Sequence, residues 1–121
     1  MTHPARNLNS KRPIIYTAIS WKFFAYRMFI SKYVLEQGGV PVNPFMTFDY
    51  FMLDSVPRDL VREANNNLVR ISDEVWCFGS ASDGVLVEVE SAQKDNKLVR
   101  FFLIEKPAIF TEVSEVVFKQ Q

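Results

Sequence analysis

Ile71-Ser-Asp-Glu-Val-Trp-Cys-Phe-Gly-Ser-Ala-Ser-Asp-Gly-Val-Leu-Val-Glu-Val-Glu-Ser-Ala92 is the stretch from which the fold can be read. Val75 to Phe78 is an almost uninterrupted apolar run, as expected for a strand covered on both faces. Gly79 to Gly84 contains only small or turn-forming residues, and Asp83-Gly84 is a strong turn signal. Ser82 or Asp83 can cap a helix that follows, and that helix carries two carboxylates, Glu88 and Glu90, in its first turns. In an open α/β sheet, ligands bind beside the carboxyl ends of the strands, where this loop sits. Glu88, about one helical turn beyond Gly84, then lies near the mouth of that crevice.

Working back toward the amino terminus, Leu60, Val61, Ala64, Leu68 and Ile71 mark the buried side of a helix expected from about Pro57 to Ile71. Pro57 sits at its first turn after Asp54-Ser55. Asn65-Asn66-Asn67 lies mid-helix, where asparagine is a weak helix former; three polar surface residues are the simplest explanation. Ile14 to Ala18 reads as a short strand. Ser20 is a candidate N-cap for a helix to about Gln37, with Phe23, Tyr26, Ile30, Tyr33, Val34 and Gln37 on one face. Gly38-Gly39 stops that helix, and Val40 to Pro44 reads as a second strand kept near an edge by proline. Phe45 to Leu53 is dense in aromatics and methionine. It reads first as a core or dimer-contact helix; the alternative is an apolar lid over a planar ligand or a subunit interface beside the crevice.

Toward the carboxyl terminus, Leu98 to Ile104 is a clear strand, Pro107 breaks the chain, and Thr111 to Phe118 fits a strand or a short helix. Met1 to Arg12 is polar and reads as a flexible arm, leaving residues 13–121 as one domain. Alternation of strands and helices in this order gives an α/β fold with a mostly parallel sheet of about five strands and helices on both faces.

Composition narrows the chemistry. The 121 residues are 48% hydrophobic and 23% charged, with a formal net charge of zero. That balance gives no broad footprint for nucleic acid or an anionic membrane. The single cysteine, Cys77, has no internal disulfide partner and reads as a small buried hydrophobe. The amino terminus is polar, and no apolar run approaches the ~18 residues of a membrane span, so a cytoplasmic protein is expected. With His3 as the only histidine, zinc and Ser–His or Cys–His nucleophiles are improbable. Neither GxGxxG nor GxxxxGK[ST] occurs, and no cofactor is expected.

Carboxylate chemistry remains. A carboxylate in a crevice can attack an anomeric carbon and form a covalent glycosyl-enzyme intermediate. Glu88 is the candidate nucleophile, and Tyr16, on the first strand, is placed to orient it. Thr17, Ser20 and Ser82, with the helix N-terminus at Ser82, Asp83 and Gly84, are candidates to receive an anionic group such as a phosphate. The same spacing also fits Glu88 and Glu90 as acids that only favour the dipole of a helix's first turns.

Three segments resemble the nucleoside 2-deoxyribosyltransferase superfamily, which includes the 2'-deoxynucleoside 5'-monophosphate N-glycosidases. Ile15-Tyr16-Thr17-Ala18 resembles its opening strand, and the stretch beginning at Asp73 its central strand. Gly84-Val-Leu-Val-Glu88-Val-Glu90-Ser-Ala92 resembles its G-x-x-x-E-[LI]-G-x-A nucleophile motif, and Lys97-Leu-Val-Arg fits the strand that follows. The likeness spans about Ile14 to Ile104. It implies a Rossmann/flavodoxin-like three-layer sandwich that forms a homo-oligomer, dimer or higher, and acts on a small-molecule nucleoside or nucleotide. It also implies Glu88 as nucleophile, Tyr16 as helper and Ser82 as a phosphate ligand. The family's acidic residue eight positions before the strand's Asp is Asn65 here, an amide that can bind a base edge but cannot act as a general acid. Glu90 stands in place of the motif's second glycine. A catalytically idle nucleotide-binding or sensing module, or an interaction domain of the same fold, is the alternative these departures leave open.

Overall fold

In the computed structural model, which describes residues 3–48 and 55–121, strand β3 (Glu74–Phe78) is the middle of a five-stranded sheet ordered β2-β1-β3-β4-β5. Its companions are β1 (Ile14–Ile19), β2 (Val40–Val42), β4 (Leu98–Lys106) and β5 (Ile109–Val113). β1 to β4 pair in parallel, with Ile15 opposite Glu74, Ile19 opposite Phe78 and Phe78 opposite Phe102. Only β5 runs antiparallel, closing a hairpin onto β4 across Pro107 and Ala108. Parallel neighbours need crossover connections. These are helix α1 (Arg27–Glu36), helix α3 (Arg58–Ile71) and helix α4 (Asp83–Lys94). The chain runs outward from β1 to β2 and then returns to β3, so the strand order reverses beside β1. A crevice opens at such a switch point, outside the carboxyl ends of the strands.

The two faces of the sheet bury separate cores, which is why the β3 run reads as continuously apolar. On one face Tyr16, Ala18, Val75, Cys77 and Phe101 pack against Val69 of α3, Val85, Val89 and Ala92 of α4, and Phe118 of the short helix α5 (Glu115–Lys119). On the other, Ile15, Ile19, Trp76, Phe78 and Phe102 pack against Ile30 and Val34 of α1. Phe78 and Phe102 stack with ring centroids 4.8 Å apart, and Tyr33 meets Phe102 edge-on at 5.6 Å.

Several boundaries differ from the sequence reading, each for a local reason. The helix expected from Ser20 to Gln37 is a 3-10 segment, Trp21–Tyr26, followed by α1, with Phe23 at non-helical angles (φ −106°, ψ 16°) between its turns. The break seats the Phe23 ring against Gly79, which leaves β3 at φ +95°; a Cβ at Gly79 would overlap that ring. Ser20 stands at the N-cap position, yet its side chain makes no cap bond. Gln37 is the exposed C-cap rather than part of the buried face. Gly38 (φ +92°) then completes a Schellman end, with Gly39 N–H on Val34 O and Gly38 N–H on Leu35 O, both 3.0 Å.

Pro57 is the N-cap of α3 rather than its first residue. Leu60 and Ile71 point to solvent at 60% and 68% exposure, because the inward stripe runs through Val61, Asn65, Leu68 and Val69. Thr111 to Phe118 is divided, its first part ending β5 and its last part forming α5 behind the Ser114 cap. Within the aromatic stretch, Pro44–Thr47 is helix α2, capped by the Asn43 side chain; the expected helix beyond Phe48 falls on residues 49–54, outside the described ones. In the arm, Pro4–Asn7 is a 3-10 turn capped by His3.

Two residues of the recognised motifs hold corners of the sheet. Asp73 exchanges two hydrogen bonds with Ile14, its carboxylate and its N–H each at 2.7 Å, and so fixes the register of β3 on β1. Lys97 Nζ donates to the carbonyls of Val69, Arg70 and Ser72 at 2.5–2.6 Å, covering the carboxyl end of α3. An ammonium has three protons for three acceptors, and its charge suits that end of the helix dipole. Lys97→Met is expected to cost about 1–3 kcal/mol, read as a lower urea midpoint with an unchanged slope.

Candidate active site

A cleft of about 410 Å³ lies at the carboxyl edge of the sheet, between the segment after β1, helix α2 and the amino-terminal halves of α3 and α4. Ser20, Trp21 and Phe45 line one side; Arg62, Asn65 and Asn66 come from α3; Ser82, Gly84 and Glu88 come from α4. α3 and α4 both begin at this edge because each runs back along the strand it accompanies, and the first turn of α4 lines the cleft.

Glu88 sits one turn into α4, directly above β1. Tyr16 is fully buried on β1, and its hydroxyl donates to Glu88 Oε2. Burial pushes the Glu88 carboxyl up to about 7, against the lowering effect of the Tyr16 hydrogen bond. Burial, and then the Glu88 charge beside it, holds the Tyr16 hydroxyl well above its ordinary value, so it stays a donor. Burial, followed by the charges of Glu88 and Glu115, likewise raises Cys77, which is an inert thiol of the core. The result is a carboxyl poised between acid and carboxylate near neutrality, with its orientation set by one rigid donor. Replacing Tyr16 by Phe removes the lowering contribution. In a carboxyl NMR titration, the Glu88 midpoint is expected near 7 in the parent and higher in Tyr16→Phe.

Two cleft atoms have no hydrogen-bond partner among the described residues although both are buried: Ser20 Oγ and Asn65 Oδ1. Buried polar groups without partners are uncommon and costly, at about 1–3 kcal/mol each, and a bound molecule is one means of satisfying them. Ser82 Oγ accepts from Val85 N–H at 3.3 Å as the cap of α4. A Cβ on Gly84 would meet nothing within 4 Å, so that turn of α4 is open to the cleft.

The sequence candidates therefore divide. Ser20, Asn65, Ser82, Gly84 and Glu88 share the cleft, with Tyr16 directly behind Glu88. Thr17 does not reach it: its buried hydroxyl donates to Val42 O at 3.3 Å and accepts from Asn43 Nδ2 at 2.9 Å, tying β1 to the start of α2. Asp83 is exposed on the outer side of the first turn of α4 and lies outside the lining. Glu90 points to solvent, so its bulk does not close the cleft. Arg62, Asn66, Trp21 and Phe45 line the cleft without having been singled out as ligands. Asn65 and Arg62 carried a signal: Asn65 is a polar residue four positions from both Val61 and Val69 on an inward stripe, and Arg62 is one turn before it. Among the described residues, Arg62 pairs with Asp59 alone, at 2.9 Å and exposed, a weak hold on its guanidinium. Among the described residues, no group of three or more His, Cys, Asp and Glu side chains is placed to hold a metal ion, and no helix is long and apolar enough to cross a membrane.

A mostly parallel five-stranded sheet with this strand order, flanked by helices, resembles the Rossmann-like fold of a deoxyribosyltransferase. One solved structure it resembles is the 2-desoxiribosyltransferase from Leishmania mexicana, at TM-score 0.60 and 20% identity. That likeness covers 75% of this chain and 64% of the other, so this chain spans less than two thirds of its neighbour. At that identity the likeness shows the fold. No curated protein sequence matches the chain. The chain belongs to the family described as a domain of unknown function, DUF7768, whose model matches residues 22–102.

Proposed function

We propose that the chain cleaves or transfers the N-glycosidic bond of a nucleoside or nucleotide, with Glu88 as nucleophile. The observation that carries this reading is the half-buried, desolvated Glu88 carboxyl, raised to about 7 and held by Tyr16 in an open cleft. The distant structural likeness to a deoxyribosyltransferase supports it at the level of fold.

In the ionised form, a Glu88 oxygen attacks C1' of the sugar as the bond to the base nitrogen breaks, giving a glycosyl ester. Tyr16 keeps the other carboxylate oxygen engaged, which fixes the attacking lone pair. Water, or a second base in a transfer reaction, then attacks C1' and releases Glu88. Trp21 and Phe45, with ring centroids 5.9 Å apart, offer apolar surface for a planar heterocycle. Ser82 and the α4 N-terminus suit an anionic substituent at the mouth. Because the nucleophile must be ionised, kcat/KM is expected to rise with pH through about 7.

A second reading, ligand binding without turnover, draws on the cleft's composition: Glu88 is the only carboxylate among its described lining residues. The test is free-base release from ribo- and deoxyribonucleosides and their 5'-monophosphates. Release supports the first reading. Silence across the panel, together with a thermal shift from the same ligands, supports the second.

A further inference from the structure

Glycosidic cleavage ordinarily uses two carboxyl groups, one to attack the sugar and one to protonate the departing atom. Among the described lining residues, an amide and a guanidinium share the cleft with Glu88: Asn65, with its Oδ1 buried and unpartnered among the described residues, and Arg62 one turn before it. Neither can deliver a proton near neutrality, because an amide does not ionise and a guanidinium stays protonated. Both can stabilise negative charge, the guanidinium by its charge and the amide through its N–H. The Oδ1, without a partner among the described residues, is left to accept a donor. An amide offers an acceptor beside a donor, the complement of a heterocycle edge on which an N–H adjoins a carbonyl.

Taking Glu88 as the nucleophile of the reading above, we propose that Asn65 and Arg62 form an anion-accepting leaving-group site. The substrates are then nucleosides of oxopyrimidines, whose base leaves as a delocalised anion, in preference to purines that depend on protonation to depart. In the first step, Glu88 Oε forms a bond to C1' and the C1'–N1 bond breaks, its electron pair leaving with the base. The ring N3–H donates to Asn65 Oδ1. The negative charge that develops on the neighbouring carbonyl oxygens is met by Asn65 Nδ2 and the Arg62 guanidinium. Water then adds to C1', the C1'–Oε bond breaks to restore the carboxylate, and the water proton is taken by the base anion or by solvent. The balance is one water consumed, with free base and free sugar formed.

The experiment measures base release from uridine- and deoxyuridine-type substrates bearing electron-withdrawing substituents at C5, alongside purine nucleosides, as a function of pH. With no acid among the described residues of the leaving-group side, log kcat/KM should climb steeply as the leaving base becomes more acidic. The pH profile should have only the ascending limb of Glu88. Arg62→Gln should slow release by ~10–100-fold, most for the least acidic base. Asn65→Asp should supply the missing acid, flatten the dependence on leaving-group acidity, add a descending alkaline limb, and raise release of unactivated bases by up to ~10²-fold. A shallow dependence in the parent, or an alkaline limb in the parent profile, would overturn the inference and leave Glu88 chemistry standing. Absence of release from every substrate, the activated ones included, would instead remove the reading on which it rests.

Discussion

Glu88→Gln is expected to abolish base release, by at least ~10³-fold in kcat/KM, and to leave a protein that is more stable than the parent above neutrality. Loss of activity follows because an amide oxygen is too weak a nucleophile to form the glycosyl ester. Gain in stability follows from the raised carboxyl. Its value is 4.5 unfolded and about 7 folded, so between these the folded state holds the extra proton and stability falls as pH rises. Above about 7 the full penalty of a buried carboxylate is present, of order 3 kcal/mol. Gln keeps an acceptor for the Tyr16 hydroxyl and carries no charge. Urea unfolding of the two proteins at pH 5 and pH 8 is the check: similar midpoints at the lower pH, and a higher midpoint for Glu88→Gln at the upper. Equal midpoints at both would mean that the carboxyl is not desolvated.

Gly79→Val is expected to have the largest effect on folding. Gly79 leaves β3 at φ +95°, where a β-branched residue is strained, and its new Cβ would overlap the Phe23 ring. Left-handed strain and overpacking together cost about 3 kcal/mol or more, a fall of roughly 10 °C in Tm for a domain of this size. Phe23→Ala removes the overlap and not the backbone strain, so the double variant should recover part of the loss. A double-mutant cycle with no coupling would place the ring elsewhere. The contact bears on the site as well as on stability: Phe23 lies in the 3-10 segment that begins with Trp21, a cleft residue.

What was legible in the sequence was whatever a periodic pattern or a local turn encodes. The continuous apolar run at Val75 to Phe78 announced a strand buried on both faces, and Gly38-Gly39 announced the end of α1. The Ser82 cap placed Glu88 one turn into α4, over a strand that carries Tyr16. Contacts between distant segments were not legible. No local rule indicates that Phe23 must break its helix to meet Gly79, nor that Thr17 is taken by Asn43. The outward turn of Leu60 and Ile71 reflects a stripe that includes a polar residue, Asn65, which a search for apolar spacing passes over. Lys97 and Asp73 appeared as motif positions, and each is fully engaged in holding β3, β4 and α3 together.

The account turns on a covalent bond between Glu88 and the sugar. The direct measurement is intact and peptide mass spectrometry of the protein incubated with a nucleoside whose sugar bears fluorine at C2', a substituent that slows hydrolysis of the glycosyl ester, with a readily departing oxopyrimidine as base. The expected result is one equivalent of the fluorosugar mass on the protein, located on the peptide containing Glu88 and absent in Glu88→Gln. Free base released in repeated turnovers with no adduct, or an adduct on another residue, would contradict Glu88 as the nucleophile.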